Sequence, residues 1–221
     1  MALSCSGLQG KDNQLWDDFW LRREGKGVRP QAKRRIIDII SSYIKPGDSV
    51  LDAGSGSGFF SSYFISRGCN VSVVDFSEEA LSLTRKNTQD KAKQYIKGDM
   101  LEHAFLKDYE GKFDVIFTDG LLEHYSREDQ DSIIRNLISL KKKNGCLINF
   151  APNRFSLWSL VRPFCMKIQE RPVVMRELFD IHARNGLSVV SHGGISVLPF
   201  RISPEKVLGR YLGMLLYCIA V

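Results

Sequence analysis

Residues 52–58 read Asp52-Ala53-Gly54-Ser55-Gly56-Ser57-Gly58, an acid followed by three glycines at alternate positions. A short apolar strand, Ser49 to Ala53, runs into this turn, and Phe60, Tyr63 and Phe64 then fall on one helical face. Strand, glycine turn and helix open a nucleotide-binding α/β unit, because a backbone without Cβ atoms turns tightly and approaches a ligand closely. Spacing narrows the ligand. A dinucleotide fingerprint requires glycine or alanine at position 59, where Phe59 stands, and a Walker phosphate loop requires a Gly-Lys-Ser or Gly-Lys-Thr that is absent. One strand-helix-strand unit further on, Val71 to Val74 ends on Asp75, placed for a ribose. Its carboxylate can accept a hydrogen bond from each of two hydroxyls, with Phe76 beside the nucleoside.

The D-x-G-x-G-x-G pattern resembles motif I of the class I S-adenosylmethionine (SAM) methyltransferases. The resemblance implies a Rossmann-like, doubly wound α/β fold: a mostly parallel seven-stranded sheet with helices on both faces. It implies SAM as cofactor, its methionine half packed on the loop. The implied cofactor residues are Asp52, Gly54, Ser55, Gly56, Gly58, Asp75, Phe76, Asp99, Met100 and Asp119. Asp99, after the strand Gln94 to Lys97, resembles the position that accepts from the adenine amino group, and Met100 would flank the ring.

The fourth strand, Phe113 to Phe117, leads into Thr118-Asp119-Gly120-Leu121-Leu122-Glu123-His124-Tyr125. Ligands of open α/β sheets bind outside the carboxyl ends of the strands, so this loop faces the substrate. Its Leu-Glu-His run resembles small-molecule methyltransferases, including those of ubiquinone and menaquinone biosynthesis. His124 and Glu123 are the candidate catalytic residues, with Asp119 a further candidate base. The Asn/Asp-Pro-Pro-Tyr motif of adenine-N6 and glutamine methyltransferases is replaced by Thr118-Asp119-Gly120-Leu121, and no Pro-Cys nucleophile is present. A small molecule, lipophilic ones included, is therefore the expected acceptor. Two alternatives stand beside this reading: a SAM-binding regulatory or partner subunit without transferase activity, and a nicotinamide oxidoreductase, which lacks its glycine pattern.

The remaining elements must position these groups. Residues 1–30 are expected to form a tail and a lid helix, with Trp16, Phe19 and Trp20 on one face. Trp16 and Trp20 would contact substrate, or else dock the helix on the core. Arg22, Arg23, Lys26 and Arg29 read as a solvated basic turn. The resemblance implies a methyltransferase domain over residues 31–221, with a substrate-side insertion at about 154–170. Its first helix runs from Gln31 to Ile44, ended by Pro46-Gly47. Ser77 caps the helix after Asp75, whose acid faces an empty cleft with few folded-state partners. Ser126 caps a helix striped by Ile133, Ile134, Leu137 and Leu140, whose basic end is Lys141-Lys142-Lys143. Cys146 to Ala151 is the fifth strand, Pro172 to Asn185 a helix and Leu187 to Ser191 the sixth strand. Leu215 to Val221 is a seventh strand or a helix continued from Glu205.

The 221 residues carry a net charge of +6, which permits anionic partners without establishing one. Neither a nucleic-acid signal nor a membrane-length apolar run is visible. Five scattered cysteines without a C-x-x-C pair, and no basic-then-apolar leader, point to a reducing, cytoplasmic setting. His103, His124, His182 and His192 are dispersed, so no metal site is expected.

Overall fold

Seven strands form one sheet in the order β3-β2-β1-β4-β5-β7-β6. The computed structural model describes residues 12–22, 30–102, 106–159, 170–198 and 203–221. The expectations for the N-terminal tail, Arg23, Lys26, Arg29, His103 and most of the insertion at 154–170 lie outside these residues.

In chain order the elements are α1 (Asn13–Leu21), α2 (Pro30–Ile40), β1 (Ser49–Ala53), α3 (Phe59–Ser66), β2 (Asn70–Asp75), α4 (Glu78–Thr88) and β3 (Gln94–Lys97). β4 (Phe113–Asp119), α5 (Arg127–Leu140), β5 (Lys141–Pro152), α6 (Met175–Arg184), β6 (Val189–Ile195), α7 (Glu205–Leu212) and β7 (Leu215–Ala220) follow. Strands β1 to β5 pair in parallel, while β7 lies antiparallel between β5 and β6. The expected mostly parallel, doubly wound sheet is thus present. The end of the chain resolves as both alternatives in succession, the helix α7 and then the strand β7.

Strand alternation divides the core between the two faces. Leu51, Ile116 and Leu147 pack on one face with Ile133, Ile134 and Leu137 of α5. Val50, Val71, Phe117 and Ile148 pack on the other with Ile36 and Ile40 of α2 and Phe60 and Phe64 of α3. Asp52 stands at a position that alternation turns toward α3, and so it is buried. Among the described residues no helix is long and apolar enough to cross a membrane.

Several boundaries depart from expectation: β6 runs Val189–Ile195 where Leu187 to Ser191 was expected, and α6 begins at Met175 and not at Pro172. Helix α2 ends at Ile40, and Tyr43 and Ile44 lie in the turn that follows. Lys141, Lys142 and Lys143 are not the end of α5 but the start of β5: Phe113 pairs with Lys141 and, across an irregularity, Val115 with Cys146. Sheet pairing to a distant strand overrides the local helix-end signal there.

Candidate cofactor and active site

A cavity of about 810 Å³, part of it open to solvent, lies at the carboxyl ends of β1, β2 and β4. Its size suits a small-molecule site. Gly54, Ser55 and Gly56 of the glycine turn line it, together with Asp52, Asp75, Phe76, Met100, Asp119, His124, Trp16 and Trp20. The turn is pinned from below: the N–H groups of Gly54 and Ser55 donate to the Val74 carbonyl at 2.8 and 3.3 Å.

The glycines differ in what they do. A Cβ on Gly56 would come within 2.6 Å of the Trp20 ring, so the absence of a side chain lets α1 settle on the turn. A Cβ on Gly58, at φ +69°, would meet Thr84 of α4 at 2.8 Å. Gly58 therefore serves the packing of the turn on α4, and it is not among the cavity-lining residues.

Asp75 does not face an empty cleft alone. It accepts from the Gly56 N–H at 2.9 Å and from the Ser77 N–H at 3.1 Å, which locks the turn to the tip of β2. A strand-tip acid beside a turn of exposed amides collects these donors, so the expectation of few folded-state partners is corrected. Each carboxylate oxygen offers about two lone-pair sites, which leaves acceptor capacity for ribose hydroxyls. Burial pushes Asp75 up to about 6, against the pull of the backbone N–H groups of Gly56, Ser77 and Phe76. Burial likewise lifts Asp52 to about 7, opposed by the Ser61 hydroxyl and reinforced by Asp119 and Asp75. The Ser61 hydroxyl donates to Asp52 at 2.5 Å.

Lys33 of α2 supplies the opposing charge. It pairs with Asp119 at the end of β4 and lies 4.7 Å from the centroid of the Phe60 ring. Sequence reading missed Lys33, which stands among other basic residues on α2. Only the packing of α2 over the sheet brings it to Asp119, far along the chain. Asp99 is placed between two lining residues, Gly98 and Met100, with its own carboxylate accepting from the Leu101 N–H at 2.9 Å.

Helix α1 covers the cavity. Asp12 caps it, accepting from the Leu15 N–H at 3.1 Å. Asp17 accepts from the Ser77 hydroxyl and the Glu79 N–H, fixing α1 to the first turn of α4. Trp16 meets Phe76 and His124 edge-on at centroid distances of 6.1 and 4.7 Å. The described beginning of the insertion, in contrast, exposes Phe155, Leu157 and Trp158.

Glu123 and His124 are buried in a single 3₁₀ turn, Leu122–His124. Of the two, His124 lines the cavity. Glu170 joins them, and ligand-type atoms of the three side chains lie within 4.8 Å of one another. Glu170 carries no local signal, since tertiary folding alone brings it to the turn.

The family model described as "Methyltransferase domain" matches residues 50–145. A probable cobalt-precorrin-6B C(15)-methyltransferase (decarboxylating) of Thermoplasma acidophilum is 32% identical over 109 residues, 47% of this chain and 52% of the relative. A ubiquinone biosynthesis O-methyltransferase of Xanthomonas campestris is 29% identical over 149 residues, 66% of this chain and 60% of the relative. The chain thus spans about half the length of the curated relatives it matches. Among solved structures, magnesium protoporphyrin IX methyltransferase (ChlM) from Synechocystis with bound SAH superposes with a TM-score of 0.67 at 21% identity, covering 95% of this chain and 94% of that one. Residues 50–145 thus match a methyltransferase domain, and the chain has the Rossmann-like fold seen in that solved methyltransferase.

Proposed function

We infer that this chain is an enzyme that transfers a methyl group from SAM to a small molecule, with lipophilic acceptors in scope. One observation carries the reading. Asp52, Asp75 and Asp119 gather at the ends of three adjacent strands around a glycine turn, with Lys33 the one lysine or arginine among the described residues that lines the cavity. Such an excess of buried carboxylate favours a cationic ligand and disfavours a pyrophosphate. The names of the relatives support the same assignment, since each is a methyltransferase.

Asp75 would hold the ribose hydroxyls, Phe76 and Met100 the adenine, and Gly54, Ser55 and Gly56 the methionine part. Lys33 and Asp119 would meet its carboxylate and ammonium. When bound, SAM supplies an already activated methyl group on a cationic sulfonium. The protein's own work is positioning and exclusion of water. Trp16 and Trp20 of α1 close the cavity over the reactants. His124, on the cavity wall, takes the proton released when an oxygen or nitrogen acceptor is methylated. We place this activity in the cytoplasm.

Incubation with methyl-labelled SAM and a fractionated cell extract tests the reading. Label is expected in the small-molecule fraction, in a species heavier by one methylene. Label confined to protein or RNA, or no transfer at all, would overturn it.

A further inference from the structure

His124 sits between two glutamates from separate stretches of chain. Glu123 precedes it in the 3₁₀ turn. Glu170 arrives from the segment ahead of α6, and the Arg171 N–H donates to the Glu123 carbonyl at 2.8 Å, tying that segment to the turn. The His124 Nε2 lies 3.9 Å from Glu170 Oε1 and 4.0 Å from Glu123 Oε1. All three side chains are buried, at 6% exposure or less. The edge of Trp16 closes the contact from the α1 side.

Buried carboxylates are costly unless they face positive charge. Two of them against one imidazole favour its protonated form and fix its ring. We propose that Glu170 is a positioning residue for the methyl transfer, holding the His124 ring at the cavity wall and stabilising the charge His124 gains with the acceptor's proton. With one proton kept on Nε2, toward the carboxylates, Nδ1 carries the lone pair that accepts the second. As the acceptor's bond to the methyl carbon forms, the methyl carbon's bond to the sulfonium sulfur breaks and its electron pair leaves with the sulfur as neutral S-adenosylhomocysteine; the acceptor's X–H bond breaks, and the proton passes to His124 and later to solvent. This inference rests on His124 being the base.

Among the described residues, the neighbouring charged groups have partners of their own. Arg171 reaches Glu177 and Gln130, at 3.4 and 3.3 Å. Asp17 on α1 is bound to Ser77. On the cavity side Asp119 is paired with Lys33, and Asp75 with the glycine turn. Tyr125, next in sequence, is buried, and burial holds its phenol above its usual range.

The test is an NMR pH titration of the histidine rings, with the His124 signal assigned by its loss in His124→Asn. In the wild type His124 is expected to titrate above the ordinary 6.5, and Glu170→Gln to lower that midpoint by about one pH unit or more. Glu170→Asp, which keeps the charge, should retain most of the elevation, whereas a merely structural role would not separate the two variants. An unchanged midpoint in Glu170→Gln overturns the role of Glu170. So does magnesium or zinc binding that saturates in the micromolar range and depends on Glu170, because the cluster would then hold a metal in place of a proton. Unimpaired turnover in His124→Asn, measured with extract and labelled SAM, overturns the base reading beneath the proposal and is distinguishable from either result.

Discussion

Two buried polar clusters meet at the end of β4, one residue apart, and they are built to opposite plans. Thr118 belongs to the first. Its hydroxyl donates to Asn149 on β5, whose amide lies 2.6 Å from His182 Nε2 on α6. The Nδ1 of His182 faces the Leu178 carbonyl at 2.7 Å. With Nδ1–H donating to that carbonyl, Nε2 is free to accept from the Asn149 amide, and the whole chain of groups is neutral. Asp119 belongs to the second cluster, where it shares the cavity with Asp52, Asp75 and Lys33. There burial pushes Asp52 and Asp75 well above their ordinary range, reinforced at Asp52 by Asp119 and Asp75 and at Asp75 by Asp17. The first cluster is closed and satisfied, so it holds β4, β5 and α6 together. The second retains electrostatic cost that a cationic ligand would relieve, as expected of a site whose purpose is binding.

Removing one member of the satisfied cluster should have the largest effect on stability. Asn149→Ala strips the partner from both Thr118 and His182 and leaves a void. Denaturant unfolding should show a loss of about 3–4 kcal/mol. A loss below about 1 kcal/mol would mean the cluster is not the brace described here.

The same cluster sets an acid limit. Burial depresses His182 to about 4, below the 6.5 of an unfolded histidine. The unfolded chain therefore binds more protons between these values. The stabilisation is present above pH 6.5 and is lost as pH falls through 4, about 3 kcal/mol over the full window. NMR should find the His182 ring neutral down to about pH 4, and a midpoint near 6.5 would contradict its burial.

The cavity cluster should behave in the reverse sense. Asp52 is raised from 3.8 to about 7, so the folded state holds a proton that the unfolded state releases. Its contribution is fully present below pH 3.8 and is lost as pH rises through 7. Asp52→Asn, which keeps an acceptor for Ser61, should stabilise the ligand-free protein by roughly 2 kcal/mol at pH 8 and scarcely at all near pH 4. The same variant should bind SAM more weakly. Destabilisation at pH 8 would show that the charge is better paired than the comparison supposes.

The smallest stability effect is expected at the cover. Helix α1 has no buried residue, so Trp20→Ala should cost under about 1 kcal/mol. It should nonetheless impair turnover or acceptor binding more than SAM binding, because Trp20 lies over the glycine turn at the cavity. Unfolding without a separate kinetic effect would make Trp20 a packing residue.

These contrasts explain what could be read from the chain alone. The glycine turn and Asp75 were legible because their chemistry is local: a strand, a turn and the next strand tip fall in one unit of sequence. The stripe of α5 and its Ser126 cap were legible for the same reason. Lys33 and Glu170 were not, since each matters only through a partner brought in by tertiary folding, Asp119 in one case and His124 in the other. The packing role of Gly58 was not legible, because the same residue type serves close ligand approach and close packing alike, and Thr84 opposite is brought in only by tertiary folding. The Asn149–His182 pair was invisible for want of any pattern, being one polar residue in an apolar strand and one histidine on an amphipathic helix.

Calorimetry on the purified chain and on Asp75→Ala, with SAM, S-adenosylhomocysteine and NAD as titrants, tests the cofactor assignment most directly. The wild type should bind SAM and S-adenosylhomocysteine but not NAD. Asp75→Ala should bind SAM about tenfold more weakly or worse, since each hydrogen bond to a charged group contributes roughly 1.5–3 kcal/mol and about 1.4 kcal/mol is tenfold. Binding of NAD without SAM, or equal SAM affinity in the two proteins, would contradict the assignment of this cavity and of Asp75 within it.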